Sequence, residues 1–219
     1  MLEALIEKIK QRHPGFEIRF KDEPLPAWLR LVFWFQGLIT KGFWGTYTTT
    51  VGQHVYFPTR EFYEENKILA FMILAHEFVH IHDAAEVGQV GFTFRYLFPQ
   101  VLAPFALLGL LGMAWWPLAF LLLFVVALVP WPAPWRVKYE KRGYKMSILV
   151  RALLGYGTDT EYYVKQFTSR QYYWMSWDED GIRKWVNDQV HSAQAQLAGI
   201  ETLDRPYQDV YNVYKQSQE

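Results

Sequence analysis

Two histidines four residues apart, with a glutamate directly after the first, make His76-Glu77-Phe78-Val79-His80 the segment of this 219-residue chain best suited to chemistry. At 100° per residue, His76 and His80 sit one turn above each other on one helix face, so both imidazoles can reach one metal ion. Glu77 is then placed to hold a water at that ion. Zinc brings the pKa of such a water to about 7, and a carboxylate can take its proton as it attacks a carbonyl. The expected cofactor is therefore Zn2+ and the expected reaction is hydrolysis, with Glu77 as base.

A catalytic zinc needs a third protein ligand and one open position. His82, Asp83, Glu86 and Glu140 are the candidates. His82 lies about 240° round the helix from His76 and reads as a packing or solvent-facing residue. Asp83 is on the ligand face but a turn further on, which suits a supporting or helix-end charge better than a ligand. Glu86 is out of reach on an ideal helix. Glu140 is the better candidate, in VKYEKRGYKMSILV, which reads as a second helix.

The elements that must position these residues can be read around them. The stretch ILAFMILAHEFVHIHD is apolar almost all round, so its helix, expected over Arg60 to Val87, belongs in a core or in lipid. Buried His, Glu and Asp must be paired or metal-bound. Thr59 is the expected N-cap, with Glu61, Glu64 and Glu65 near the helix start. Upstream, FEIRF (16–20) alternates as a strand, and GTYTTTVGQHVYF (45–57) reads as two short strands or a hairpin broken at Val51-Gly52-Gln53. His54 reads as a sheet-surface residue. Ala27 to Thr40 is apolar but too short to span a bilayer, which suits a buried or interfacial helix. The N-terminal fifteen residues carry Glu3, Glu7, Lys8 and Lys10 and so lack the apolar run of a secretion signal; Leu2, Leu5, Ile6 and Ile9 mark a short amphipathic helix that packs on the domain.

Between the two candidate site helices, residues 96–135 carry no charge, and 31 of these 40 are apolar. The other residues hold all 22 Lys+Arg and 22 Asp+Glu, an ordinary globular composition. Forty residues supply about two bilayer crossings, with a break at Gly109 to Pro117. A single crossing would strand Glu140 on the far side from His76, so the insert is expected to be a transmembrane or re-entrant hairpin. Arg95 precedes it, while Arg136, Lys138, Lys141, Arg142, Lys145 and Arg151 follow it. That bias puts both ends, and the catalytic domain, on the cytoplasmic side. The absence of cysteine fits that setting. Zero net charge argues against nucleic acid as a partner; the expected partners are a peptide or protein substrate and the lipid bilayer. Oligomeric state is not set by the sequence.

The combination of HEFVH, an apolar hairpin and then Glu140-x-x-Gly143-Tyr144 resembles the membrane-embedded gluzincin metallopeptidases, including the heat-shock membrane endopeptidases and the CAAX-type prenyl-protein proteases. In that group a membrane hairpin often separates the HExxH helix from a helix bearing E-x-x-A-D. The resemblance implies an α+β, zincin-like fold whose domain is interrupted by the hairpin: 1–95 with the edge strand and HExxH helix, 96–135 the hairpin, 136–219 the glutamate helix and the rest. It implies His76, His80 and Glu140 as zinc ligands and Glu77 as general base, with Gly143 in the small position that lets two helices approach. Tyr144 replaces the family Asp that orients a ligating histidine, a role a Tyr hydroxyl can fill. The Thr48–Phe57 stretch matches the substrate-binding edge strand of zincins. Two other readings stay open: a non-catalytic membrane adaptor with a structural metal site or none, and a soluble zincin with its hairpin packed inward. The C-terminal third reads as helical, with DEDGIRKWVNDQVHSAQAQLA turning Ile182, Trp185, Val186 and Val190 inward. Tyr144, Tyr172, Tyr173 and His191 are possible oxyanion donors, and the tail after Arg205 is expected to be loosely ordered.

Overall fold

The computed structural model describes residues 1–40, 42–129, 131–169 and 174–219. The chain is a mostly helical α+β protein built round a three-stranded sheet. Strand β1 (Glu17–Phe20) pairs in parallel with β3 (His54–Phe57), and β2 (Thr49–Val51) pairs antiparallel with β3, giving the order β1-β3-β2. The β2–β3 connection is the two-residue turn foreseen at Gly52-Gln53. Gly52 has φ +66°, a conformation that costs glycine little. β2 is thus an edge strand, whereas β3, the other part of the 48–57 stretch expected at the edge, is paired on both sides as the central strand.

The alternation of β3 divides two cores. Val55 and Phe57 point into the main core, whereas Tyr56 packs with Leu29, Phe33 and Phe43 on the opposite face. That second core is where helix α2 (Ala27–Ile39) docks. Lys21, just after β1, is buried and donates to the carbonyl oxygens of Phe43 (2.9 Å) and Tyr47 (2.7 Å), tying the loop beyond α2 to the sheet.

The main core is centred on α4 (Lys67–Val87), which carries the HExxH residues. The helix expected over 60–87 is broken. A first turn-and-a-half, α3 (Arg60–Glu65), starts at the Thr59 cap, whose hydroxyl accepts from the Phe62 amide at 3.0 Å. Asn66 then leaves helical geometry (φ −120°, ψ 51°), and its side-chain amide donates to the Phe62 carbonyl. Short polar side chains that bond the local backbone favour such breaks. α4 is long and apolar enough to cross a membrane, but 61% of its apolar window is buried inside the protein. It packs against α1 (Leu2–Arg12), α7 (Pro134–Leu153) and α10 (Arg205–Gln216), so its all-round apolarity is that of a core helix.

Of the predicted inward residues of α1, Leu2, Leu5 and Ile9 are buried and Ile6 is half-buried against the same core. The C-terminal tail differs from expectation: α10 is a docked helix, opened by Pro206 in its first turn, with Tyr207, Val210 and Val213 buried at helical spacing. Asp209 anchors it to Arg12 at 3.0 and 3.2 Å. α8 (Thr160–Thr168) and α9 (Glu179–Ala198) complete the C-terminal part; of the four residues of α9 expected inward, Ile182 and Val186 are buried and Trp185 and Val190 are half-buried.

Residues 96–135 leave the main body and return to it. α5 (Gln89–Leu97) leads out and the chain then bends by 102°. The outgoing limb is α6 (Phe105–Leu108) followed by a 3-10 segment (Gly109–Met113); the returning limb is a 3-10 helix, Trp116–Leu128. The limbs run antiparallel and touch where they are smallest. A Cβ on Gly109 would lie 2.7 Å from the Leu122 amide, and one on Gly112 2.8 Å from Ala119. The turn falls at Ala114-Trp115, inside the break foreseen at 109–117.

Candidate metal centre

His76, His80 and Glu140 come together between α4 and α7 and offer ligand atoms that all lie within 4.8 Å of one another. The Nε2 atoms of His76 and His80 are 3.1 Å apart; His76 Nε2 is 3.6 Å from Glu140 Oε2, and His80 Nε2 is 3.7 Å from Glu140 Oε1. Ligands at zinc bond lengths of about 2.0–2.2 Å in a tetrahedron are themselves about 3.3–3.5 Å apart. The donor triangle, with separations that bracket this range, could hold a metal ion through nitrogen and oxygen donors of a kind that zinc accepts. Imidazole nitrogens facing each other at 3.1 Å need a proton or a cation between them.

Several local features hold this triangle. α4 and α7 form the most extensive helix pair in the protein. They approach closely because residue 143 has no side chain: a Cβ there would be 2.7 Å from the His76 ring. His76 Nδ1 is 3.1 Å from the Ser147 hydroxyl, one turn past Gly143, which itself bonds the Gly143 carbonyl. If His76 donates from Nδ1, Nε2 presents its lone pair to the site. Tyr96 on α5 donates its hydroxyl to Glu140 Oε1. It stacks on Phe92, and its carbonyl accepts from Arg136 at 2.9 Å. Glu140 is buried; burial alone would raise its pKa, but the His76 hydrogen bond and the two imidazoles overcome this and bring it down to about 2. Burial lowers the His80 pKa. These two directions favour carboxylate and neutral imidazole, the forms that bind a metal. The His76 pKa is instead raised: burial would lower it, but the Glu140 hydrogen bond and the nearby carboxylates outweigh that burial.

Glu77 is not one of the three converging ligands; the Thr50 hydroxyl of edge strand β2 donates to its Oε2 at 2.7 Å. The tract Thr48-Thr49-Thr50 alternates across the strand, and Thr50, opposite Val55, is the member on the α4 face. The candidate base and the candidate substrate strand are thus joined by one hydrogen bond.

The remaining candidates fall elsewhere. Asp83 is buried and paired with Arg142, which also reaches Asp204. His82 sits 3.3 Å from Glu86, and Glu86 is exposed. His54 faces the α2 side of the sheet, 3.6 Å from Glu17. Tyr144 packs its ring edge-on to His76 (4.8 Å between centroids) and against Tyr163 and Phe167. It therefore braces the His76 ring, alongside the Nδ1 contact to the Ser147 hydroxyl. His191 is exposed on α9 beside its own helix's Asn187 carbonyl. Tyr172 and Tyr173 lie outside the described residues. Sequence reasoning missed Thr50, Tyr96 and Ser147; the one available signal was the period-2 alternation that puts Thr50 on the same sheet face as Val55.

The close approach at Gly143 gives a direct expectation. Gly143→Val should push the His76 ring off its position and weaken zinc binding by about 10- to 100-fold, the scale on which supports of a metal ligand act. It should also cost about 1–3 kcal/mol through overpacking. Chelator competition and denaturant unfolding read these separately.

Comparison with known proteins finds no matching family model, no matching curated protein and no matching solved structure.

Proposed function

We propose that the chain is a membrane-bound zinc endopeptidase of gluzincin type, its zincin-like domain interrupted by a lipid-inserted hairpin and its site at the cytoplasmic face. The observation that carries this reading is the convergence of His76, His80 and Glu140 beside a glutamate held by the sheet edge. A purely structural metal site has no use for Glu77 next to it.

His76, His80 and Glu140 would hold the zinc, which supplies Lewis acidity that polarises a scissile carbonyl and eases the ionisation of a water. A peptide adding to the free edge of β2 is held by main-chain hydrogen bonds, independent of most of its sequence. Glu77 takes a proton from the attacking water and delivers it to the leaving amine nitrogen. Thr50 fixes the Glu77 carboxylate for both transfers. Tyr96 and Ser147 keep Glu140 and His76 aimed.

The insert supports a membrane setting. Leu107, Trp116 and Leu123 on its two limbs are each about two-thirds exposed or more (68%, 71% and 68%). The 13-residue returning limb, wound at about 2.0 Å per residue, reaches about 26 Å, close to the ~30 Å hydrocarbon thickness. The basic residues that follow it keep its ends cytoplasmic.

Full-length protein in mild detergent, given an unfolded protein such as casein, should cleave it, lose activity to a zinc chelator and regain it with added zinc. Absence of cleavage by folded, zinc-loaded protein across unfolded and membrane-protein substrates would sink the peptidase reading. Thr50→Val should leave zinc content unchanged and lower kcat by about 10- to 100-fold, since a hydrogen bond to a charged group is worth about 1.5–3 kcal/mol. An unchanged kcat would remove Thr50 from the site.

A further inference from the structure

Helix α2 is inside out. It touches the sheet through one stripe, Leu29 and Phe33, which are fully buried against Phe43 and Tyr56. Around that stripe lie Arg30 and Gln36. Every other large side chain described on the helix, Trp28, Leu31, Val32, Trp34, Phe35 and Leu38, is apolar and exposed, by 44% to 64%. At 100° per residue these six cover an arc of roughly 160° centred opposite the buried stripe. A surface helix facing water has the reverse arrangement.

From this geometry we infer that α2 lies in the plane of a lipid bilayer, its outward face inserted among the acyl chains. At 13 residues it is about 20 Å long, too short to span but suited to lying at the interface. Arg30 and Gln36 flank the apolar arc on the protein side, at the level of lipid headgroups. Trp28 and Trp34, together with Trp44 seated over Gly37, supply the indoles that favour that level. A second copy of the chain fits this face less well. With roughly 150–250 Å² per large side chain, about half exposed, the six offer roughly 600 Å², short of the ~800 Å² per partner of a standard interface. The Lys21 clamp and the Phe33–Tyr56 contact (5.4 Å between centroids) fix α2 to the sheet. Insertion of α2 therefore sets the β2 edge beside the membrane surface. This inference does not depend on the hairpin crossing the bilayer or on peptidase activity.

The chain has no cysteine, so single cysteines can be introduced into the full protein and spin-labelled. Labels at Leu31, Phe35 and Leu38 report α2, a label at Phe120 reports the hairpin, and one at exposed Glu7 gives the aqueous reference. In phosphatidylcholine–phosphatidylglycerol vesicles, the ratio of oxygen to nickel-chelate collisions at 31, 35 and 38 should be several-fold above that at 7. It should correspond to a depth of about 5–10 Å. A ratio at all three equal to the Glu7 reference overturns the inference. So does exclusion of both reagents with dipolar broadening between labels, which would mean a second copy covers the face. The Phe120 label separates the two membrane readings, because either segment can be lipid-exposed when the other is not.

Discussion

Glu77→Gln should abolish peptide hydrolysis, lowering kcat by about 10³-fold while zinc content stays at the wild-type level, because glutamine keeps the shape and the Thr50 hydrogen bond but cannot accept a proton. Glu77 is not among the three side chains that converge as ligands, so its substitution leaves that set intact. The partner of its carboxylate is a hydroxyl on the sheet edge, at 2.7 Å, and an amide oxygen can accept the same bond. Cleavage of a labelled peptide and metal analysis on the same sample give the two readouts. Retained cleavage would remove Glu77 as the base. Joint loss of zinc and cleavage would make it a ligand and require a different base.

The second large effect separates two buried carboxylates, Asp83 on α4 and Glu140 on α7. Glu140→Ala removes one of three donors and should lower zinc affinity by at least about 100-fold, with little change in the fold of the zinc-free protein. Asp83→Ala should do the opposite. Asp83 is 3% exposed and paired with Arg142 at 2.9 Å, so its loss should cost about 3 kcal/mol of stability. The lower end of the range for breaking a buried ion pair applies because Asp204 still partners Arg142. Zinc affinity should be near wild type once the protein is folded. Chelator competition and urea unfolding of both variants would show the crossing pattern; zinc loss in Asp83→Ala with none in Glu140→Ala would reverse the assignment.

Much of this site was legible because helical spacing is a strict geometric rule. HExxH puts two imidazoles on one face whatever surrounds them, and helix geometry sets Glu86 out of their reach, which leaves Glu140 as the better third candidate. Gly143 was legible as a small residue, and its purpose, room for the His76 ring, emerges from the fold. Tyr96 and Ser147 were not legible, and for Thr50 strand alternation gave only the sheet face. Hydroxyl side chains are common, and which one meets a given acceptor depends on contacts 27, 44 and 71 residues away in sequence. The break at Asn66 was missed because apolar periodicity continues through it, while the local side-chain bond to Phe62 decides the backbone. The docking of α10 had a signal in Pro206, Tyr207, Val210 and Val213. Its polar composition outweighed that signal, although buried apolar area, not mean polarity, decides whether an end helix docks.

His76, His80 and Glu140 are proposed as the protein ligands of one zinc ion. The most direct test of that assignment is metal content: full-length protein purified in mild detergent, equilibrated with zinc and freed of excess by gel filtration. The expected result is one zinc per chain, retained in Glu77→Gln and lost when His76 is replaced by alanine. Folded wild-type protein that carries no stoichiometric zinc after this treatment would contradict it.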